Sequence, residues 1–214
     1  MNKVVIIGAG GFGREVIEIF KDQNFIKKSW EILGFIDENS ALWGKVINNF
    51  SVLGGLDWFE NNREVGCVVA IADPKTKKRI VDLLEKKGVL FYNAIHPSVI
   101  MSEFVNLGKD VIICAGSILT VNISICNHII INLKCTIGHD AIIEDYCSIM
   151  PSVSINGENH IGKGVYIGTG ATFIQQVSVG EWAIIGAGAV VIDNIPDHVV
   201  AVGIPAKVKK KIDA

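Results

Sequence analysis

Five histidines are present, and His139 is the one best placed for proton chemistry. It follows Ile137-Gly138 and precedes Asp140. An imidazole titrates near neutrality and can act as a general base. A neighbouring carboxylate favours the imidazolium and helps fix the ring. Taken alone, the same residues also describe an ordinary turn histidine. His128 and His160 read as solvated turn residues, His96 before Pro97 as a turn residue, and His198 as part of the tail. A second constellation is Gly8-Ala9-Gly10-Gly11-Phe12-Gly13, in which Gly8, Gly10 and Gly13 match G-x-G-x-x-G. Such glycines let the backbone approach a ligand, and a following helix N-terminus offers free N–H groups to an anion. A structural tight turn is the plainer alternative. Asp37 ends the next apolar run, where an acidic side chain can take a ribose hydroxyl. Asp73 precedes Pro74 and Lys75 at the end of a third such run, a place where open sheets bind ligands. Those residues read equally well as an Asp N-cap before a Pro-started helix.

The elements that must hold the glycine loop can be read from apolar patterning. Residues 4–7, 32–36 and 65–71 read as strands, with a last short one at 90–94. Residues 13–21 read as a helix with Val16, Ile17, Ile19 and Phe20 on its apolar face. Residues 75–87 read as an amphipathic helix with Ile80, Val81, Leu83 and Leu84 inward. Alternating strands and helices predict an open parallel α/β sheet, a small Rossmann-like domain over residues 1–95. That length is too short for two mononucleotide-binding halves, so a dinucleotide such as NAD is a poor candidate.

His139 belongs to a different regime. Counting in sixes from Leu107 to Val191 gives fifteen positions, each a large apolar residue. A second column two residues earlier, from Val105 to Ala189, is small or β-branched except at Asn159. Glycine often follows the large residue, as at Gly138, Gly162, Gly168, Gly180 and Gly186. An α-helix repeats at ~3.6 residues and a strand at two, so neither holds a six-residue period on one face. Short strands and regular turns wound into a solenoid do. Residues 96–214 are therefore a parallel β-helix with a C-terminal tail in which the period is lost.

Bulk composition narrows the function classes. Half of the 214 residues are hydrophobic, aromatics are 7%, and net charge is −2. Nothing in that balance calls for nucleic acid or an anionic membrane. No apolar run approaches the ~18 residues of a spanning helix, and the N-terminus reads as a first strand rather than a leader. The five cysteines form no CxxC pair, so neither a zinc ribbon nor a disulfide framework is indicated, and a reducing cytoplasm is expected.

Four segments carry a family resemblance: Ile7 through Val16, Ile95-His96-Pro97-Ser98, Ile137-Gly138-His139-Asp140, and Val202-Gly203-Ile204-Pro205-Ala206-Lys207. The chain resembles the sialic-acid O-acetyltransferase type, which includes bacterial nucleotide-sugar N-acetyltransferases. Its second half resembles the left-handed β-helix of hexapeptide acyltransferases. The resemblance implies the handedness, three hexapeptides per coil, His139 as catalytic base with Asp140 beside it, and acetyl-CoA as co-substrate without a metal. Residues 18 apart would then stack, placing Gly157 about 4.8 Å above His139, where its N–H can polarise a thioester carbonyl. The Asn156-Gly157 pair also reads as a plain turn. The resemblance further implies coenzyme A contacts at Gly168, Gly186, Pro205 and Lys207. The basic cluster of Lys207, Lys209, Lys210 and Lys211 reads otherwise as a frayed end. It implies an acceptor at Gly8, Gly10, Gly11, Phe12, Gly13, Asp37 and Asp73, namely a nucleotide-linked amino sugar, such as a 4-amino-deoxy sugar for surface glycans. It also implies a homotrimer. Relatives often carry His where this chain has Phe12 and Ser148. The alternatives are O-acetyl transfer to a sugar hydroxyl, as on a sialic acid, and a non-catalytic scaffold. A zinc-dependent carbonic anhydrase needs three converging histidines, whereas His128, His139 and His160 occupy different turn columns.

Overall fold

A computed structural model describes residues 1–212. The chain divides into two compact units, Met1–Pro97 and Ser98–Ala214.

The first unit is a five-stranded sheet built from β1 (Asn2–Ile7), β2 (Trp30–Ile36), β3 (Val46–Ile47), β4 (Phe50–Gly54) and β5 (Gly66–Val69). Their order is β3-β4-β2-β1-β5. β1 pairs in parallel with both β2 and β5, β4 adds in parallel to β2, and β3 is antiparallel to β4. β1 lies between β2 and β5, and Val4, Val5, Ile6 and Ile7 are all buried, so its sequence shows no alternation.

Helix α1 (Gly11–Ile26) is longer than its apolar pattern indicates. No Gly or Pro interrupts the chain after Gly13 until Gly34, so nothing stops the helix at Lys21. Asn24 then ties its end to β2, its Oδ1 accepting from the Ser29 and Trp30 N–H groups at 2.9 Å. Helix α2 (Pro74–Lys86) buries Ile80, Val81 and Leu84, but Leu83 faces outward and is 38% exposed. The hairpin β3–β4 and the 3-10 turns Ser40–Leu42 and Leu56–Asn61 replace what reads as connecting loop. The expected strand over 90–94 reduces to a single bridge from Phe91 to Cys67, with regular structure only at Ala94–Ile95.

In the second unit, two-residue strands recur every six residues from Ile100–Met101 to Val190–Val191. Each pairs in parallel with the strand 18 residues on, as in Ile118↔Thr136↔Ser154↔Thr172↔Val190. Three sheets result. The large column from Ile113 to Val191 and the small column from Val111 to Ala189 are buried at every position. Each buried Ile or Val contributes about 1.5–3 kcal/mol, which makes the two columns the main stabilising feature of the coil.

The corners are as regular as the strands. Every sixth residue from Asp110 to Gly188 has a positive φ, between 55° and 74°. Asn, Asp and Gly tolerate that region best, yet His128, Tyr146, Gln176 and Trp182 adopt it too, because the coil dictates the turn. The glycines after the large column answer to crowding. A Cβ on Gly168 would lie 2.5 Å from the Ala187 nitrogen, and one on Gly186 would lie 2.7 Å from Val202 Cγ1.

The tail is regular as far as Lys211. Val199–Val202 adds in parallel to Ile184–Ile185, and Lys207–Lys211 folds back on it as an antiparallel partner. Among the described residues, no helix is long and apolar enough to cross a membrane.

Candidate active site

His139 sits in the corner between the strands Thr136–Ile137 and Ile142–Ile143. The repeat puts a large apolar residue inward at Ile137 and a tight Gly138 next, so the following side chain must leave the coil. Its side chain is 55% exposed. Asp140 takes the left-handed corner position at φ 58°, the same as every other corner, so no special strain is stored there. His139 Nδ1 lies 2.8 Å from Asp140 Oδ2. Asn122, one coil below, donates from Nδ2 to Asp140 Oδ1 at 3.2 Å. These hydrogen bonds, His139 first and Asn122 second, hold the Asp140 carboxyl below the usual carboxylate range. An ionised carboxylate only accepts. The proton therefore sits on Nδ1, and Nε2 carries the free lone pair.

Gly157 covers the ring. A Cβ at Gly157 would stand 2.6 Å from His139 Nε2, so a larger residue there would displace the imidazole. Gly138 is constrained by the same approach, since its Cβ would lie 2.5 Å from the Gly157 nitrogen. His139 and Gly157 line a cavity of about 460 Å³ with Gly138, Asn156, Glu158, Gln175 and Gln176. Glu158 and Gln176 bond to each other at 3.0 Å. Glu158, Gln175 and Gln176 were not legible as site residues. They lie one and two coils beyond His139, and only the stacking of the coil brings them to it.

Three of the other four histidines are committed elsewhere. His128 is buried rather than solvated, at 2% exposure. It meets Asp110 at 2.9 Å and stacks on Tyr146, because these three residues share one corner column and shield one another. His160 pairs with Glu144 at 2.7 Å and His96 with Asp22 at 3.0 Å.

Comparison with known proteins follows the division of the chain. Residues 3–84 match the PglD N-terminal domain, and residues 160–193 match the bacterial transferase hexapeptide (six repeats). GDP-perosamine N-acetyltransferase of Escherichia coli O157:H7 is 32% identical over 199 residues, spanning 88% of this chain and 85% of the relative. The chain belongs to the nucleotide-sugar N-acetyltransferases. A histidine-to-asparagine variant of perosamine N-acetyltransferase from Caulobacter crescentus, solved with CoA and GDP-perosamine, superposes with a TM-score of 0.90. It is 29% identical and covers 99% of this chain and 98% of its own. The acetyltransferase domain of PglB from Neisseria gonorrhoeae, solved with acetyl coenzyme A, gives 0.89 at 28% identity, with 97% and 100% covered.

In this N-acetyltransferase the glycine loop splits into two kinds of position. Gly8 has φ 102°, and a Cβ on Gly13 would overlap the Gly8 carbonyl oxygen, so both are needed for the strand-to-helix turn. Gly10 caps α1 and has nothing within 4 Å of an added Cβ, and at Gly11 only Arg14 Nη2 comes near, at 3.7 Å. Local packing does not require glycine at these two. Phe12 is half-buried at the helix start. Asp37 accepts the Ala9 N–H through Oδ2 at 2.8 Å and the Asn39 N–H through Oδ1 at 2.9 Å. It therefore clamps the glycine loop to the end of β2, and each oxygen retains a further lone pair. Asp73 caps α2, its Oδ1 accepting from the Thr76 N–H at 2.8 Å. Next to Asp37, whose carbonyl accepts from the Trp43 indole at 2.8 Å, lies a cavity of about 630 Å³ lined by Trp43, Trp58, Leu53, Leu56 and Leu83 with the charged Glu38, Asp57 and Lys87. Ser148, between the inward Cys147 and Ile149, is fully buried. Pro205 and Lys207 lie at the tail hairpin, with Lys207 Nζ 3.1 Å from Asp193.

Proposed function

We propose that the protein transfers an acetyl group from acetyl-CoA to the amine of a nucleotide-linked amino sugar. His139 acts as the general base. The carrying observation is the His139–Asp140 pair at 2.8 Å, in a cavity roofed by Gly157. With its proton on Nδ1, the ring presents Nε2 to the acceptor. The amine attacks the thioester carbonyl, the C–N bond forms, and the amine proton passes to Nε2. The C–S bond then breaks, and the imidazolium returns the proton to the departing thiolate. Negative charge develops on the carbonyl oxygen in between, and the Gly157 N–H is the donor assigned to it.

The acceptor's nucleotide is assigned to the first unit, at Gly10, Gly11 and Asp37, where backbone and carboxylate can meet a phosphate or a ribose. Coenzyme A is assigned to Gly168, Gly186, Pro205 and Lys207, with Lys207 toward a phosphate. The protein acts in the cytoplasm, as a homotrimer. Relatives acting on GDP-perosamine make a 4-amino-deoxy sugar the first acceptor to try.

The test is CoA thiol release with UDP-, dTDP- and GDP-linked amino sugars, and with a sialic acid, followed by product analysis. An N-acetylated nucleotide sugar is expected. Acetyl on a hydroxyl would make the protein an O-acetyltransferase. No turnover and no acetyl-CoA binding would leave a scaffold.

A further inference from the structure

Asn159 interrupts the small inner column, and its amide is 1% exposed. Its Nδ2 donates to the Asn156 carbonyl at 2.8 Å and to the Ile174 carbonyl at 2.9 Å. Its Oδ1 accepts from the Val177 N–H at 3.1 Å. The turns Gly168–Ala171 and Gly186–Ala189 close directly, the fourth N–H donating to the first carbonyl at 3.2 Å. At 174–177 the Asn159 carboxamide stands between those two groups and bonds to each, in place of the direct bond. Ser117 does the same one face away, its Oγ donating to the Asn132 carbonyl at 2.9 Å and accepting from the Cys135 N–H at 3.2 Å.

The two turns held by Asn159 are those that line the His139 cavity, with Asn156, Gly157 and Glu158 on one and Gln175 and Gln176 on the other. We propose that Asn159 is a positioning residue for acetyl transfer: its buried carboxamide sets the spacing between the turn that carries Gly157 and the turn above it. The proposal rests on the reading of that cavity as the transfer site. A buried amide with three hydrogen bonds is costly to place in an apolar column. A small residue would fill the column without that cost, as Ala141, Ala171 and Ala183 do in neighbouring positions. The carboxamide acts on geometry only, since Asn159 is buried beneath the cavity wall and is not among the residues lining it.

Asn159→Ala, Asn159→Ser and His139→Asn in the full-length protein test this. In Asn159→Ala the Val177 N–H can bond the Ile174 carbonyl directly, so the variant should fold while the turn closes. Its kcat per folded site should fall about 10- to 100-fold, the cost of a misplacement near 1 Å, with KM for acetyl-CoA close to wild type. Asn159→Ser can bridge 174 to 177 as Ser117 does but cannot tether Asn156, so it should fall between Asn159→Ala and wild type. A purely structural role would lower the melting temperature and folded fraction while leaving kcat per folded site unchanged, and that result overturns the proposal. Should Asn159→Ala not fold, Asn159→Ser decides, and wild-type kcat per folded site again overturns it. Wild-type turnover by His139→Asn would instead remove the cavity reading itself.

Discussion

The hydrogen bond from His139 is the largest influence drawing the Asp140 carboxyl below its ordinary range, and the Asn122 amide adds to it. A depressed carboxylate stays charged as pH falls until well into the acid range. A ring that carries a proton on Nε2 has lost the lone pair that accepts from the amine. The wild-type kcat profile should show one descending limb on the acid side, and any second fall from Asp140 should lie below the usual carboxylate pKa of ~3.9. His139→Asn should lower kcat by about 10²–10⁴-fold at pH 7, the usual contribution of a general base, and should abolish the limb. Acetyl-CoA affinity should hardly move, measured by calorimetry. His139 was legible as an outward turn histidine beside an aspartate, and the family resemblance supplied its role as base. Glu158, Gln175 and Gln176 could not, because nothing local distinguishes them from other polar corner residues.

At the scale of the elements, the turn from β1 into α1 separates glycines required by packing from glycines with room to spare. Gly13→Ala forces a methyl group into the Gly8 carbonyl oxygen. It should destabilise the first unit by about 1–3 kcal/mol, the range for overpacking, read from urea melts. Gly10→Ala meets nothing within 4 Å and should leave the melt unchanged. If the nucleotide approaches the backbone there, Gly10→Ala should raise the KM for the sugar nucleotide alone. An unchanged KM would move the nucleotide away from the loop. The strands β1, β2 and β5 and both helices were legible from apolar runs and periodicity. The β3–β4 hairpin was not, because Val46–Ile47 and Phe50–Gly54 are short and mixed in polarity. Their pairing is fixed by β4 joining β2, a contact between residues distant in sequence.

For the whole molecule, the coil buries its inner columns but leaves large side chains outside. Ile118, Leu133, Ile142, Ile174 and Ile192 are each between 37% and 44% exposed. Scattered single apolar residues are normal on a surface, but several on one solenoid give its outer faces something to pair with. Sedimentation equilibrium should give three times the chain mass of 23.2 kDa at micromolar concentration. A monomer under those conditions would contradict the homotrimer. An Ile142→Glu variant should shift the population toward monomer and lose turnover with it, if neighbouring subunits complete the site.

The sequence by itself determined the solenoid. Its signal repeats at every sixth residue, so each coil restates the same instruction, and both inner columns came out buried from Val111 to Val191. It also determined the βαβ character of the first unit and the outward presentation of His139 beside Asp140, because those rest on local order along the chain; the role of His139 as base came from the family resemblance. The resemblance to hexapeptide acyltransferases already implied that residues 18 apart stack, with Gly157 above His139, and the strand pairing and the close approach of Gly157 to the ring agree with it. Only the tertiary structure put Asn122 beneath Asp140 and the Asn159 amide between two turns. It buried His128 on Asp110 and Tyr146, reversing its expected exposure. Periodicity says which way a side chain points. Which partner it meets depends on the residue one coil away, and that is set by how the strands pair.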